Sequence, residues 1–148
     1  MRAPRGVFIT GTDTGVGKTL VATAIVRALV ASGLRAAGMK PVASGAERGP
    51  DGLRNADALA LASAANVRAP YETLNPYCFE PPIAPHIAAR EAGVAIDIHR
   101  VRSRFQELAH EADFVVVEGA GGWLVPISAT QRLAHLALAL RTPVILVV

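Results

Sequence analysis

The chain has 148 residues, enough for one domain with a continuous core that needs no metal or disulfide staple. Its one cysteine, Cys78, excludes an intrachain disulfide, and no Cys/His group has zinc spacing. The formal charge of +3 comes from scattered arginines, which argues against a nucleic-acid partner.

Arg2 and Arg5 precede an apolar run of only Val7 to Ile9, too short for a signal peptide. The most apolar stretch, Leu133 to Val148, is interrupted by His135, Arg141 and Pro143, so no membrane span is expected. A cytoplasmic protein is the default expectation. Lysine is scarce: Lys18 and Lys40 stand alone among many arginines, each at the end of an expected strand.

Val7-Phe8-Ile9 reads as the first strand. It leads into Gly11-Thr12-Asp13-Thr14-Gly15-Val16-Gly17-Lys18-Thr19, a glycine loop that opens a helix. Gly15 and Gly17 let the backbone turn so that successive N–H groups point at a polyphosphate on the helix N-terminus. Lys18 supplies a cation for the β- and γ-phosphates and Thr19 a hydroxyl for magnesium. The Walker A match is imperfect, because Thr12 stands where the first glycine belongs and Gly11 precedes it. The competing reading is a glycine-rich turn with a solvated lysine.

A helix follows from Lys18 to Ser32, with Gly33 as its stop. Ala36 to Lys40 is a strand that the βαβ crossover requires. Pro41 to Gly45 is a loop, and Glu47 to Arg54, with Gly49-Pro50-Asp51-Gly52, is turn chemistry. Asn55 caps a helix over Ala56 to Ala65. The prolines between Pro70 and Pro85 forbid a long helix and predict an ordered surface excursion, often functional. A short helix over Ile87 to Glu91 is closed by Gly93. Asp97 caps an amphipathic helix carrying Ile98, Val101, Phe105, Leu108 and Ala112.

Asp113 to Glu118 reads as a buried strand ending in an acid, followed by Gly119-Ala120-Gly121-Gly122. Trp123 to Ile127 is a loop or bulge, Gln131 to Leu140 a helix, and Val144 to Val148 another buried strand. The order β, α, β, α, α, β, α, β predicts a doubly wound, mainly parallel α/β sheet with helices on both faces, P-loop NTPase-like. A core strand with no covering helix behind it looks unfinished, so a missing C-terminal part is expected.

Ligands of an open parallel sheet bind at the carboxyl ends of its strands, where Lys18, Lys40 and Glu118 converge. Glu118 resembles a Walker B acid; the alternative is an exposed strand-end carboxylate. The glycines behind it let a ligand approach the backbone. Lys40 is either a surface lysine or a second cation for a transferring phosphoryl group. Asp57 stands in a first helical turn, where an acid is expected simply to complement the dipole. Ser44 is a turn residue or a ligand hydroxyl. Cys78 reads as a small hydrophobe, and no role falls to His86, His99, His110 or His135.

Gly11 to Thr19 (GTDTGVGKT), Lys40 to Gly45 (KPVASG), Gly52 to Leu61 (GLRNADALAL), Asn75 to Ile87 (NPYCFEPPIAPHI) and Val117 to Val125 (VEGAGGWLV) closely resemble the dethiobiotin synthetase family. The resemblance runs in register from about Val7 to Val148. It implies an ATP- and Mg2+-dependent ring closure in biotin synthesis, in which 7,8-diaminononanoate and CO2 become dethiobiotin through a phosphorylated carbamate. It further implies that Thr14, Gly15, Val16, Gly17, Lys18, Thr19, Asp57, Glu118, Gly119, Ala120 and Gly121 bind the nucleotide, with Thr19, Asp57 and Glu118 holding magnesium. Lys40, with Lys18, would be catalytic, near carbamate and γ-phosphate, and Ser44 would contact the diamine.

The family is a homodimer and continues past Val148 into segments that recognise the base. Gly15 replaces a larger side chain found in some relatives. A cobyrinate amidase-type amidoligase usually carries serines at Asp13 and Thr14 and lacks KPVASG. A partition-type switch ATPase places a signature lysine where Asp13 stands.

Overall fold

The structure, a computed structural model, describes residues 5–148; the N-terminal four, Arg2 among them, lie outside the described residues. Strand β1 (Gly6–Gly11) leads through the glycine loop to α1 (Lys18–Ala31), and Gly33 follows at φ 88°. Next come β2 (Ala36–Met39) and the two-residue β3 (Val42–Ala43). The expected turn from Glu47 to Arg54 is a hairpin, β4 (Glu47–Gly49) against β5 (Gly52–Arg54), with Pro50-Asp51 at its tip.

Helix α2 (Ala56–Ala64) is capped by Asn55, whose side chain accepts the N–H groups of Asp57 and Ala58. The proline-rich excursion holds a single helical turn, α3 (Tyr71–Leu74), and a short strand β6 (Tyr77–Cys78) parallel to β3. Helix α4 (Pro85–Glu91) starts two residues before the expected Ile87, because proline's fixed φ suits a first helical position. Then follow α5 (Ile98–Glu111), β7 (Phe114–Gly122), α6 (Leu133–Leu140) and β8 (Val144–Val147). Helix α6 starts after the expected Gln131, where the Arg132 N–H donates to His135 Nδ1. That histidine is a cap.

The main sheet is four-stranded and parallel in the order β2-β7-β1-β8. Alternation along the strands sends side chains to two cores. Val7, Ile9 and Val116 pack with Ala22, Val26 and Leu61 beneath α1 and α2. Phe8, Met39, Val115 and Val117 pack with Val101, Phe105, Leu108 and Leu136 beneath α5 and α6. Helices therefore cover both faces, and the doubly wound α/β expectation holds.

Two strand readings need correction. The run from Val144 was expected to be buried, but Val144, Ile145 and Leu146 are 44%, 39% and 55% exposed. Among the described residues β8 pairs with β1 on one side and meets no strand on the other. Glu118 does not end its strand. β7 continues through the glycines, pairing Gly122 with Gly11 after an irregularity opposite Ile9 to Gly11.

Gly38 in β2 faces α2, and a Cβ there would stand 2.7 Å from Leu61 Cβ. Gly38→Val is expected to lower stability by about 1–3 kcal/mol through overpacking. Urea unfolding reads this as a lower midpoint at unchanged slope. An unchanged midpoint would mean that α2 moves freely off the sheet.

Candidate active site

The carboxyl ends of β1 and β2 and the glycine continuation of β7 open onto one cavity of about 770 Å3. At its floor, the loop after β1 turns through Gly15 at φ 77° and Gly17 at φ 104°, the latter being the N-cap of α1. A Cβ at either position would meet nothing within 4 Å, so backbone conformation rather than crowding requires glycine there. Gly11 is different. A Cβ on it would come within 2.7 Å of Val16 Cγ2 and 3.1 Å of the Lys18 stem, so its glycine makes room for the loop to fold over the strand end.

Lys18 opens α1 and is buried, and its Nζ reaches back to donate to the Asp13 carbonyl at 2.7 Å. Burial and the charge of Lys40 push its pKa below the usual lysine value, against the pull of Glu118, Asp57 and Asp13. Among the described residues the ammonium is partnered only by a neutral carbonyl, in a setting that favours an added anion.

Lys40, just beyond β2, is 4% exposed, which removes the surface-lysine reading. Its Nζ donates to Asp57 Oδ2 at 3.0 Å, Glu118 Oε1 at 3.1 Å and the Gly119 carbonyl at 3.0 Å. All three ammonium protons are used. Glu118 is 1% exposed, so it is not a solvent-facing carboxylate. Its Oε1 also accepts from Thr19 Oγ1 at 2.7 Å, while its Oε2 is buried with no partner among the described residues. Burial opposes charge on Asp57. Lys40 nevertheless holds its carboxyl below the ordinary range, helped by Thr19 and Lys18.

Of the residues singled out in the sequence, Thr14, Gly15, Gly17, Lys18, Thr19, Lys40, Ser44, Asp57, Glu118, Ala120 and Gly121 line this cavity. Val16 and Gly119 do not. Val16 packs toward Gly11, and Gly119 is buried against the Phe8 ring and gives only its carbonyl to Lys40. Ser44 Oγ is buried without a partner among the described residues. Cys78 is half-buried, and burial pushes its thiol pKa up, away from nucleophilic use.

The cavity also has walls that residue-by-residue reading missed. Leu20, Asn55, Pro82, Ile83, Ala84, Pro85, Val125 and Pro126 contribute. Proline density marked the excursion but could not show where it folds, and Asn55 was visible only as a cap.

Thr19, Asp57 and Glu118 offer hard oxygen donors, and the unpartnered Glu118 Oε2 leaves coordination capacity. Among the described residues no group of three or more His, Cys, Asp or Glu side chains is placed to hold a metal ion by itself. Hydroxyl and carboxylate oxygens are the donor types a magnesium ion takes, so these residues fit one. Among the described residues no helix is long and apolar enough to cross a membrane.

Comparison with known proteins adds ancestry to this geometry. The ATP-dependent dethiobiotin synthetase BioD of Xanthomonas oryzae pv. oryzae (strain PXO99A) is 52% identical over 145 residues, covering 98% of this chain and 65% of that protein. The protein of that name from Aeromonas salmonicida (strain A449) is 50% identical over 97% of this chain and 64% of its own length. That of Pseudomonas paraeruginosa (strain DSM 24068 / PA7) is 51% identical over 95% and 62%. The chain thus spans less than two thirds of the length of these curated relatives. A family model described as an AAA domain matches residues 5–148, and the chain belongs to that family.

Proposed function

We propose that the chain carries the nucleotide site and part of the substrate site of a dethiobiotin synthetase, an ATP-dependent ligase of biotin synthesis. The reaction closes 7,8-diaminononanoate and CO2 into dethiobiotin, with ADP and phosphate as the other products. The observation that carries this reading is Lys40, a buried ammonium held by Asp57 and Glu118 in the same cavity as the glycine loop and Lys18. Phosphoryl transfer depends on positive charge placed in advance where negative charge develops. A second lysine beyond the loop's own answers that need. The relatives named dethiobiotin synthetase support the substrate.

In this reading the loop from Thr14 to Gly17 cradles the phosphates, Lys18 pairs with them, and Ala120 and Gly121 keep the opposite edge close to the nucleotide, while Gly119 acts through its carbonyl on Lys40. Thr19, Asp57 and Glu118 hold Mg2+, which neutralises phosphate charge when bound. Lys40 exchanges its carboxylate partners for the carbamate and γ-phosphate oxygens, and Ser44 Oγ, buried and unpartnered, takes a hydrogen bond with the diamine. Residues 1–148 act as one nucleotide-binding domain. The family resemblance supports a homodimer in the cytoplasm, and the scattered arginines support the absence of nucleic acid as a partner. The amidoligase and partition-ATPase readings find no support in the relatives described above.

ADP release with ATP, Mg2+ and bicarbonate, with and without 7,8-diaminononanoate, tests the reading. Diamine-dependent ADP and a product with the mass of the cyclic urea are expected. Release indifferent to the diamine would overturn it.

A further inference from the structure

Beneath the cavity, Tyr71 and Asn75 join the two elements that carry Lys40 and Asp57. Asn75 is 3% exposed, and its Nδ2 donates to the Lys40 carbonyl at 2.7 Å and the Tyr77 carbonyl at 3.1 Å. Its Oδ1 accepts from the Tyr71 hydroxyl at 2.9 Å. That hydroxyl in turn accepts the backbone N–H of Asn55 at 2.8 Å. Asn55 Oδ1 then accepts the N–H of Asp57 at 3.0 Å. The bonds run from the Lys40 carbonyl to the N-terminus of α2, and the Lys40–Asp57 ion pair closes them into a ring.

Each member is suited to a fixed position. β2 ends at Met39, and Pro41 follows Lys40, so the sheet itself does not hold Lys40. Its N–H donates to the Leu74 carbonyl at 2.8 Å, and Asn75 secures its carbonyl, so α3 and its cap grip both sides of one residue. Burial raises the Tyr71 pKa to about 12, which keeps the hydroxyl a donor to Asn75. The Arg54 guanidinium lies over the Tyr71 ring, 4.1 Å from its centre, within cation–π reach.

We propose that Tyr71 and Asn75 are positioning residues, one polar bridge that fixes the backbone of Lys40 against the helix end bearing Asp57. The inference rests on the function proposed above and extends it to side chains that touch no ligand. Small displacements of charged groups in a preorganised site are costly to catalysis, and buried polar networks with every member satisfied are the ones that hold such positions.

The test uses Tyr71→Phe, Asn75→Ala and the double variant. Calorimetry measures ATP affinity with Mg2+ and with EDTA, and turnover is measured at saturating MgATP and diamine. The expected result is metal-free ATP affinity within about twofold of wild type, with the gain from Mg2+ and the turnover each reduced roughly tenfold in either single variant. The double variant should lose no more than the worse single, because both act through one bridge.

Lower unfolding temperatures with the Mg2+ gain and turnover intact would reduce the pair to structural support and overturn the proposal, as would additive losses in the double variant. A wild type without diamine-dependent turnover would overturn the synthetase reading and leave the Mg2+ gain to decide the bridge. A wild-type ATP affinity indifferent to Mg2+ would overturn both. Should Asn75→Ala not fold, Tyr71→Phe decides by the same two measurements.

Discussion

Lys40→Ala is expected to lower diamine-dependent turnover by roughly a hundredfold or more, as the loss of a preorganised charge at a transferring group does, while ATP binding stays largely intact. The nucleotide loop is built from a different part of the chain, and Lys18 does not rely on Lys40 for a hydrogen bond. The same substitution acts on the fold. Glu118 would keep only Thr19 on Oε1, and a buried carboxylate that loses its cation typically costs about 3–5 kcal/mol. The two effects are separable. Lys40→Met with Glu118→Gln removes both charges at similar volume, so it should recover most of the lost stability and none of the turnover. Steady-state ADP release and urea unfolding on the single and double variants read both quantities. A folded Lys40→Met protein that turns over at the wild-type rate would remove Lys40 from the mechanism.

That constellation was partly legible because parallel sheets bring strand ends to one edge. A glycine loop after Val7-Phe8-Ile9, a lysine after Met39 and an acid after Val115-Val116-Val117 are each local signals, and topology alone brings them together. What was not legible is how deeply they are buried. Lys40 has an interior place because Asp57, on the first turn of α2, and Glu118, inside β7, neutralise it from distant parts of the chain. The Tyr71–Asn75 bridge left no trace for the same reason: its bonds join Asn75 to Lys40, 35 positions apart, through a backbone carbonyl that any residue would offer. Glycine misled at β7, where a run that reads as a strand break keeps the ladder going to Gly122.

Lys18→Ala is expected to weaken ATP binding by roughly tenfold to a hundredfold, the range for losing a hydrogen bond to a charged group. Turnover at subsaturating ATP should fall with it. Its effect on the ligand-free fold has the opposite sign. Burial and the neighbouring Lys40 hold the Lys18 pKa below its value in the unfolded chain, so charging this lysine opposes folding. The opposition is fully present below the folded pKa and disappears as pH rises toward the ordinary value of 10.5. At pH 7 the variant should therefore match or exceed the wild type in unfolding midpoint, and any advantage should shrink on the alkaline side. Bound phosphate reverses the balance by giving the ammonium an anion, which raises its pKa and makes alkaline ATP binding take up a proton. Calorimetry in buffers of different ionisation enthalpy should detect that uptake in the wild type and not in Lys18→Ala. Unchanged ATP affinity in the variant would mean that the phosphates lie elsewhere in the cavity.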